Sequence, residues 1–451
     1  MNLYSYFSQF NHVLTFYLVF PAILFLSLFL TVKLKFLQIT KMKLSFLNLF
    51  RANKKGAGNI SHYQAISAVI AGNLGTGNIS GMAIALAMGG PGSLVWMWLM
   101  AFFGSILQYS SCYLGVKYRT KNSEGEYIGG PMYYLKNGLG LKKTSVFFAI
   151  FTLIAAVLVG NFAQVNSAML PLQALGIHPL ICGFSVMVLA ALVTLGGLQR
   201  VAKVASSVVP AMAILYIGAG VIVLFFYKEQ VVPALFLMLK SSFQLTSFAG
   251  GAMGFGLMKA LSTGLERGVF ATDAGTGVGS ILQSGARSQH PVLDGVVTLV
   301  APFLVMLICT MTGLILIVTG AFEQSGLQST NMVVFAFQKV FGQKFGMSIV
   351  FCSLFLFAYT TILAWGGCGE KAAEFLWNKK MSKVFQYGYL ALLPIGSILR
   401  VDLIWVLADL SIALMLITNL VGIAGLSKEV VAGSLSFFAK DVPSSSVLEA
   451  D

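Results

Sequence analysis

Two glycine-rich stretches, Gly72-Asn73-Leu74-Gly75-Thr76-Gly77-Asn78-Ile79-Ser80-Gly81 and Ala249-Gly250-Gly251-Ala252-Met253-Gly254-Phe255-Gly256, each interrupt an apolar run long enough to cross a bilayer. The chemistry they suit is recognition of a solute. Hydrocarbon offers the backbone no hydrogen-bond partner, so unwound chain at membrane depth must face protein, water or something bound. Half-helix N-termini present unpaired N–H groups and a positive dipole end, so the backbone of Gly75, Thr76 and Gly77 suits a carboxylate. Glycine lets a solute approach that backbone closely. The second break, from Phe248 through Gly250 and Gly251 to Gly254, would offer carbonyls to an ammonium, while Phe248 and Met253 shape an apolar chamber. Gly77 and Gly81, or Gly250 and Gly254, also fit the small-residue spacing of packed membrane helices. Paired breaks in two halves of a chain nonetheless point to a secondary transporter.

The elements that must position these breaks are membrane spans. Of 451 residues 57% are hydrophobic and 10% charged, with a mean hydropathy of +0.85. Runs near the ~20 residues that cross a bilayer recur about eleven times: 13 to 32, 62 to 89, 92 to 115, 145 to 170, 179 to 198, 205 to 227, 243 to 263, 292 to 320, 345 to 366, 384 to 399 and 402 to 426. The net charge of +14 flanks these spans instead of gathering on one surface, which excludes a nucleic-acid partner. Basic residues concentrate in alternate loops, among them Lys33 to Lys55, Lys117 to Lys143 and Lys371 to Lys383, so the N-terminus is expected outside and the C-terminus in the cytoplasm of a bacterial-type inner membrane. The first run is span-length and its basic cluster follows it, the layout of a retained anchor.

Enzyme chemistry finds no footing. The four histidines lie at span edges far apart, and the five cysteines show no CxxC spacing. They read as packing residues, with no catalytic or metal-ligand pattern. Glu266, Arg267, Asp273, Arg287 and His290 are expected in a cytoplasmic connection after the second break, with Glu266 and Arg267 in a gate-adjacent ion pair. Asp409 falls inside the last span, where a carboxylate is functional by default or paired in the interior. Lys259, near a helix end, is expected to snorkel to the inner interface.

Setting the first span aside leaves five spans in each half, each half starting from a break on opposite sides, so any likeness between the halves is an inverted repeat. The domains expected are 1–60 (extra helix and basic loop), 61–228 and 229–430 (the two repeats) and 431–451 (cytoplasmic tail). An ion channel is the alternative class, since broken helices also line pores.

The run Gly75-Thr76-Gly77-Asn78-Ile79-Ser80-Gly81, followed by Ala85 to Gly92 and Trp96-Met97-Trp98, resembles the signature of the alanine/glycine:cation symporter family. Gly129 to Tyr134, Gly196 to Ala205, Arg267 to Phe270 with Ala274-Gly275, and Ile404 to Ser411 match in order. The resemblance implies an all-α fold of a five-plus-five inverted repeat, leucine-transporter-like, with one extra N-terminal helix. It also implies sodium-driven uptake of a small neutral amino acid such as alanine or glycine, with no cofactor and no obligate protein partner. In that frame Gln164 reaches the substrate from the side. Sodium is held by the carbonyls of Ala71 and Leu74 and the hydroxyls of Thr360 and Thr361, and Asn78 supports either site. Thr272-Asp273 stands where members usually carry Asn-Glu, Lys259 where Gln is common, 304–306 lacks an acidic residue often seen there, and 366–370 lacks the usual aromatic and Asn residues. These departures leave open a proton-coupled or altered-substrate carrier of the same fold.

Overall fold

Long apolar runs form helices here because a helix pairs its own backbone groups, and a few of them start at a side chain that accepts from the first orphan N–H groups. A computed structural model describes residues 3–49, 56–173, 176–243, 256–324, 326–327, 329–399 and 401–439. The helices used below are α1 (Ser5–Lys33), α2 (His62–Asn73), α3 (Ser80–Gly89), α4 (Ser93–Lys117), α5 (Lys142–Gln173), α6 (Pro179–Thr194), α7 (Gly197–Phe226), α8 (Lys228–Ser242), α9 (Leu257–Thr272) and α10 (Val278–Gln283). They continue with α11 (Pro291–Val318), α12 (Thr330–Phe341), α13 (Gln343–Leu376), α14 (Lys379–Gly396), α15 (Val401–Gly425) and α16 (Ser427–Ala439). Ser61 and Gln64 form a capping box at the start of α2, Asn378 caps α14 through the Met381 N–H, and Pro179 opens α6 behind His178. The described sheet is one antiparallel pair, β1 (Thr120–Lys121) and β2 (Tyr127–Ile128).

Seven helical segments among the described residues are long and apolar enough to cross a bilayer: α1, α4, α5, α7, α11, α13 and the Ile404–Gly425 part of α15. Helices α3 and α6 are apolar but shorter. Segment α4 is buried along most of its length, whereas α1 and α7 keep much of their surface outside. The outward residues of α7 include Ile214, Phe225 and Phe226, each at least 70% exposed. A helix that is apolar all round with one exposed face is solvated by lipid on that face.

One of the expected spans is interrupted in the interior. The 62 to 89 run is α2 and α3 with a joint at 74–79 that breaks the α-helix around a single 3-10 turn at Thr76–Asn78. The expected break at 249–256 lies, apart from Gly256, outside the described residues, as do Phe248, Gly250, Gly251 and Met253. A second joint is visible further along, between α9 and α10 at 273–277, where Asp273, Gly275 and Gly277 take positive φ of 47°, 86° and 95°. Asp273 therefore does not sit in a solvated connection. It is 3% exposed, and Glu266 and Arg267 belong to helix α9 ahead of the joint, while Arg287 and His290 follow α10. The polar stretch from Glu266 to Asp273 lowers local hydropathy and so imitates a loop, although its polar atoms point into the protein.

Candidate functional site

The joint of α2 and α3 releases the last carbonyls of α2 from their helical donors. Thr361, on α13, faces them: its hydroxyl donates to Ala71 O at 2.8 Å and lies 3.2 Å from Leu74 O. Three oxygens of the expected cation group are thus assembled. Thr360 is not among them. Its hydroxyl bonds back to Leu356 O and Phe357 O and lies 3.5 Å from Met212 Sδ on α7, the usual resort of a threonine in an apolar helix. Asn78 is also committed elsewhere: its Nδ2 donates to Asn73 O and Gly75 O, its Oδ1 accepts from Cys309, and its own carbonyl accepts from Thr312. It braces the joint.

At the other end of the joint the backbone N–H of Thr76 and its hydroxyl both donate to Oε1 of Gln164, at 2.9 and 3.0 Å. Gln164 can reach because α5 contains a π-turn at Leu158–Phe162, which frees Val159 O to accept Gln164 Nε2 at 3.0 Å. The carboxamide oxygen thereby takes the donors suited to a carboxylate. Gly75 and Gly77 are tightly enclosed: a Cβ on Gly75 would lie 2.8 Å from Gln164 Oε1, and one on Gly77 would lie 3.0 Å from the Phe270 ring.

Gly72, Asn73, Gly75, Gly77, Asn78, Val159, Gln164, Phe270, Asp273, Thr361 and Trp365 surround one small cavity. Both joints contribute to it. Sequence reasoning missed Asp273, Asn73 and Trp365 here. The tripeptide Gly75-Thr76-Gly77 recurs as Gly275-Thr276-Gly277, a signal that could have located the second joint. Asn419 supports that joint by donating to Gly275 O at 2.7 Å, and it bonds also to Ser111 and Tyr134.

The two ends of the broken pair close differently. Beside α3 and α9, the rings of Phe270 and Trp405 meet at 4.9 Å, with the Arg267 guanidinium near both and ion-paired to Asp409. Asp409 thus has an interior partner. Glu266 pairs with His12 of α1, so it is not the partner of Arg267. Beside α2 and α10 the closure is a backbone seam, in which Ala57 pairs with Ser288 and Ile60 with Ala286. Arg119 clasps it by donating to Ser284 O, Ala286 O and Ala57 O. Lys259 is exposed in the first turn of α9, away from the cavity.

Known transporters resemble this chain in sequence along almost its whole length. The model of the sodium:alanine symporter family matches residues 1–445. An uncharacterized transporter of Haemophilus influenzae is 36% identical over 93% of each chain. The sodium/alanine symporter AgcS of Methanococcus maripaludis is 35% identical over 91% of this chain and 92% of its own. A Bacillus subtilis protein named "Probable sodium/glutamine symporter GlnT" is 32% identical over 93% of this chain and 87% of its own. With two interrupted helices enclosing one polar cavity and a family match from end to end, this chain belongs to the sodium:alanine symporter family and is a multi-pass membrane transporter.

Proposed function

We propose that the protein carries a small neutral amino acid, alanine or glycine, into the cell with sodium. It would lie in the cytoplasmic membrane with the N-terminus outside, about eleven spans, and two five-span repeats of opposite orientation behind the extra helix α1. The repeats are 61–228 and 229–430. The joints at 74–79 and 273–277, one in each of these segments, support that arrangement. The observation that carries the functional reading is the position of Thr361: its hydroxyl and the carbonyls of Ala71 and Leu74 form an oxygen group suited to a hard cation. Thr76 offers its N–H and O–H to a carboxylate from the same joint.

In transport, the cation would draw Ala71 O, Leu74 O and Thr361 Oγ1 around itself and fix the joint. The substrate carboxylate would then replace Gln164 Oε1 on Thr76, and Gln164 Nε2 would turn toward the substrate. Val159, Phe270 and Trp365 line the cavity, so a bulky substrate side chain would meet them. Because cation and substrate stabilise the same joint, each raises the affinity for the other by the same factor. A proton-driven carrier of the same fold is the second reading, favoured by the buried carboxyl of Asp273 in the cavity. Counterflow of labelled alanine and glycine in proteoliposomes, with sodium, lithium and pH varied separately, tests both. Uptake that follows the sodium gradient at fixed pH is expected. Uptake indifferent to sodium and driven by a pH gradient overturns the sodium reading, and large currents without substrate overturn the carrier.

A further inference from the structure

Among the described residues, three polar side-chain atoms around the cavity have no hydrogen-bond partner: Asp273 Oδ1, Asn73 Oδ1 and Asn73 Nδ2. Each residue is at least 97% buried. Among the described residues no Lys, Arg or His forms an ion pair with Asp273. A buried carboxyl with an orphaned oxygen is costly to keep unless a charge or donor arrives during function. We propose that Asp273 is the counter-ion of the substrate's α-ammonium, with Asn73 Oδ1 as a second acceptor. This deepens, and rests on, the amino-acid carrier reading above.

An ammonium has three N–H donors, and the cavity holds two unused acceptors for them. The opposite charge of the zwitterion meets donors in the same space: the Thr76 N–H and O–H once Gln164 withdraws, with Asn73 Nδ2 unused nearby. Sodium is served separately by the neutral oxygens around Thr361. The charges also balance. Asp273 at minus one, a zwitterion at zero and one monovalent cation at plus one leave the loaded cavity neutral. The positive φ of Asp273 fixes its backbone in the joint, so its recognition group moves with α9 and α10 while Thr76 moves with α2 and α3. A substrate bridging Thr76 and Asp273 therefore ties the two broken helices together. The same logic rejects solutes of alanine's size that lack an ammonium, since they would leave Asp273 unpaired.

The test compares wild type, Asp273→Asn and Asp273→Glu in proteoliposomes, with sodium binding measured separately in the absence of amino acid. Asp273→Asn is expected to weaken alanine by at least about 30-fold, the loss seen when one partner of a buried charge pair is removed. Its sodium affinity without alanine should stay within about threefold, and Asp273→Glu should recover part of the alanine affinity. Lactate, with a hydroxyl in place of the ammonium, should not compete with alanine in the wild type. Alanine affinity unchanged in Asp273→Asn, or sodium binding that falls in parallel with it, overturns the assignment. If Asp273→Asn does not fold, competition by lactate at the concentration of alanine itself overturns it. Wild-type uptake of alanine is read in the same experiment, so failure of the carrier reading is seen apart from failure of Asp273.

Discussion

The backbone N–H and the hydroxyl of Thr76 converge on one atom, Oε1 of Gln164. A carboxamide thus takes the two donors that a substrate carboxylate would use under the proposed function. Gln164→Leu removes this partner and the proposed side contact together. Hydrogen bonds to charged groups contribute roughly 1.5–3 kcal/mol, so alanine affinity should fall at least about tenfold with the protein still inserted. Saturation of initial uptake rates measures this, and kinetics equal to wild type would place the substrate elsewhere.

Gly75→Ala acts on the same contact from the other side. The new Cβ would lie 2.8 Å from Gln164 Oε1, closer than side chains tolerate, and Gln164 must swing away. Uptake should drop while glycine, the smaller substrate, is affected less than alanine. Relative transport of the two labelled amino acids by the variant reads the difference.

Thr361 and Thr360 are adjacent in sequence but face different neighbours, which separates coordination from packing. Thr361→Val keeps the shape and deletes the oxygen between Ala71 O and Leu74 O. Sodium half-saturation should rise by about tenfold or more, equivalent to at least ~1.4 kcal/mol, and Thr361→Ser should stay near wild type. Thr360→Val, whose hydroxyl faces Met212, should change sodium dependence little. Equal effects of the two valine variants on sodium activation would refute the proposed ligand set.

Arg267 and Asp409 are each 11% exposed in their side chains. Removing one member of such a pair leaves the other buried and uncompensated, which destabilises by ~3–5 kcal/mol. Arg267→Gln should therefore lower the melting temperature in detergent strongly, and adding Asp409→Asn should recover part of the loss. A double variant no more stable than the single would argue against a direct pairing.

Outside the spans, Glu126 beside β2 meets Lys371 at 3.3 Å and Lys379 at 3.8 Å. Burial alone would raise its carboxyl pKa, but the two ammonium groups outweigh burial and hold it below the ordinary value. A carboxyl depressed on folding stabilises above its unfolded pKa, near ~4.3, and loses that contribution as pH falls through the lower folded value. Acidifying from neutral to pH ~5 should therefore leave the hairpin docked. Amide hydrogen exchange at 120–128 checks this, and Glu126→Gln should speed exchange already at neutral pH.

Much of this was legible beforehand. The 292 to 320 run corresponds to α11 at Pro291–Val318, and the first joint falls where glycine density placed it. Thr361 was reachable only through family resemblance, because nothing in a single sequence tells it from Thr360: both are hydroxyls in an apolar helix, and the roughly 100° turn between neighbours decides their partners. Asp273 was misplaced because hydropathy averages over a window. Glu266, Arg267 and Asp273 together resemble water-exposed chain, yet Glu266 and Arg267 find His12 and Asp409 on other helices and Asp273 reaches the cavity.

The seam at 56–60 and 284–288 is made of main chain, with Gly58 so close to its neighbour that a Cβ there would lie 2.2 Å from Ala286 O. Aromatic rings such as Phe270 and Trp405 can swing aside one rotamer at a time, but a zipper of peptide groups parts only when whole segments separate. If the chain works as the proposed carrier, passage on that side needs two peptide ribbons to part together and the guanidinium of Arg119 to let go of three carbonyls.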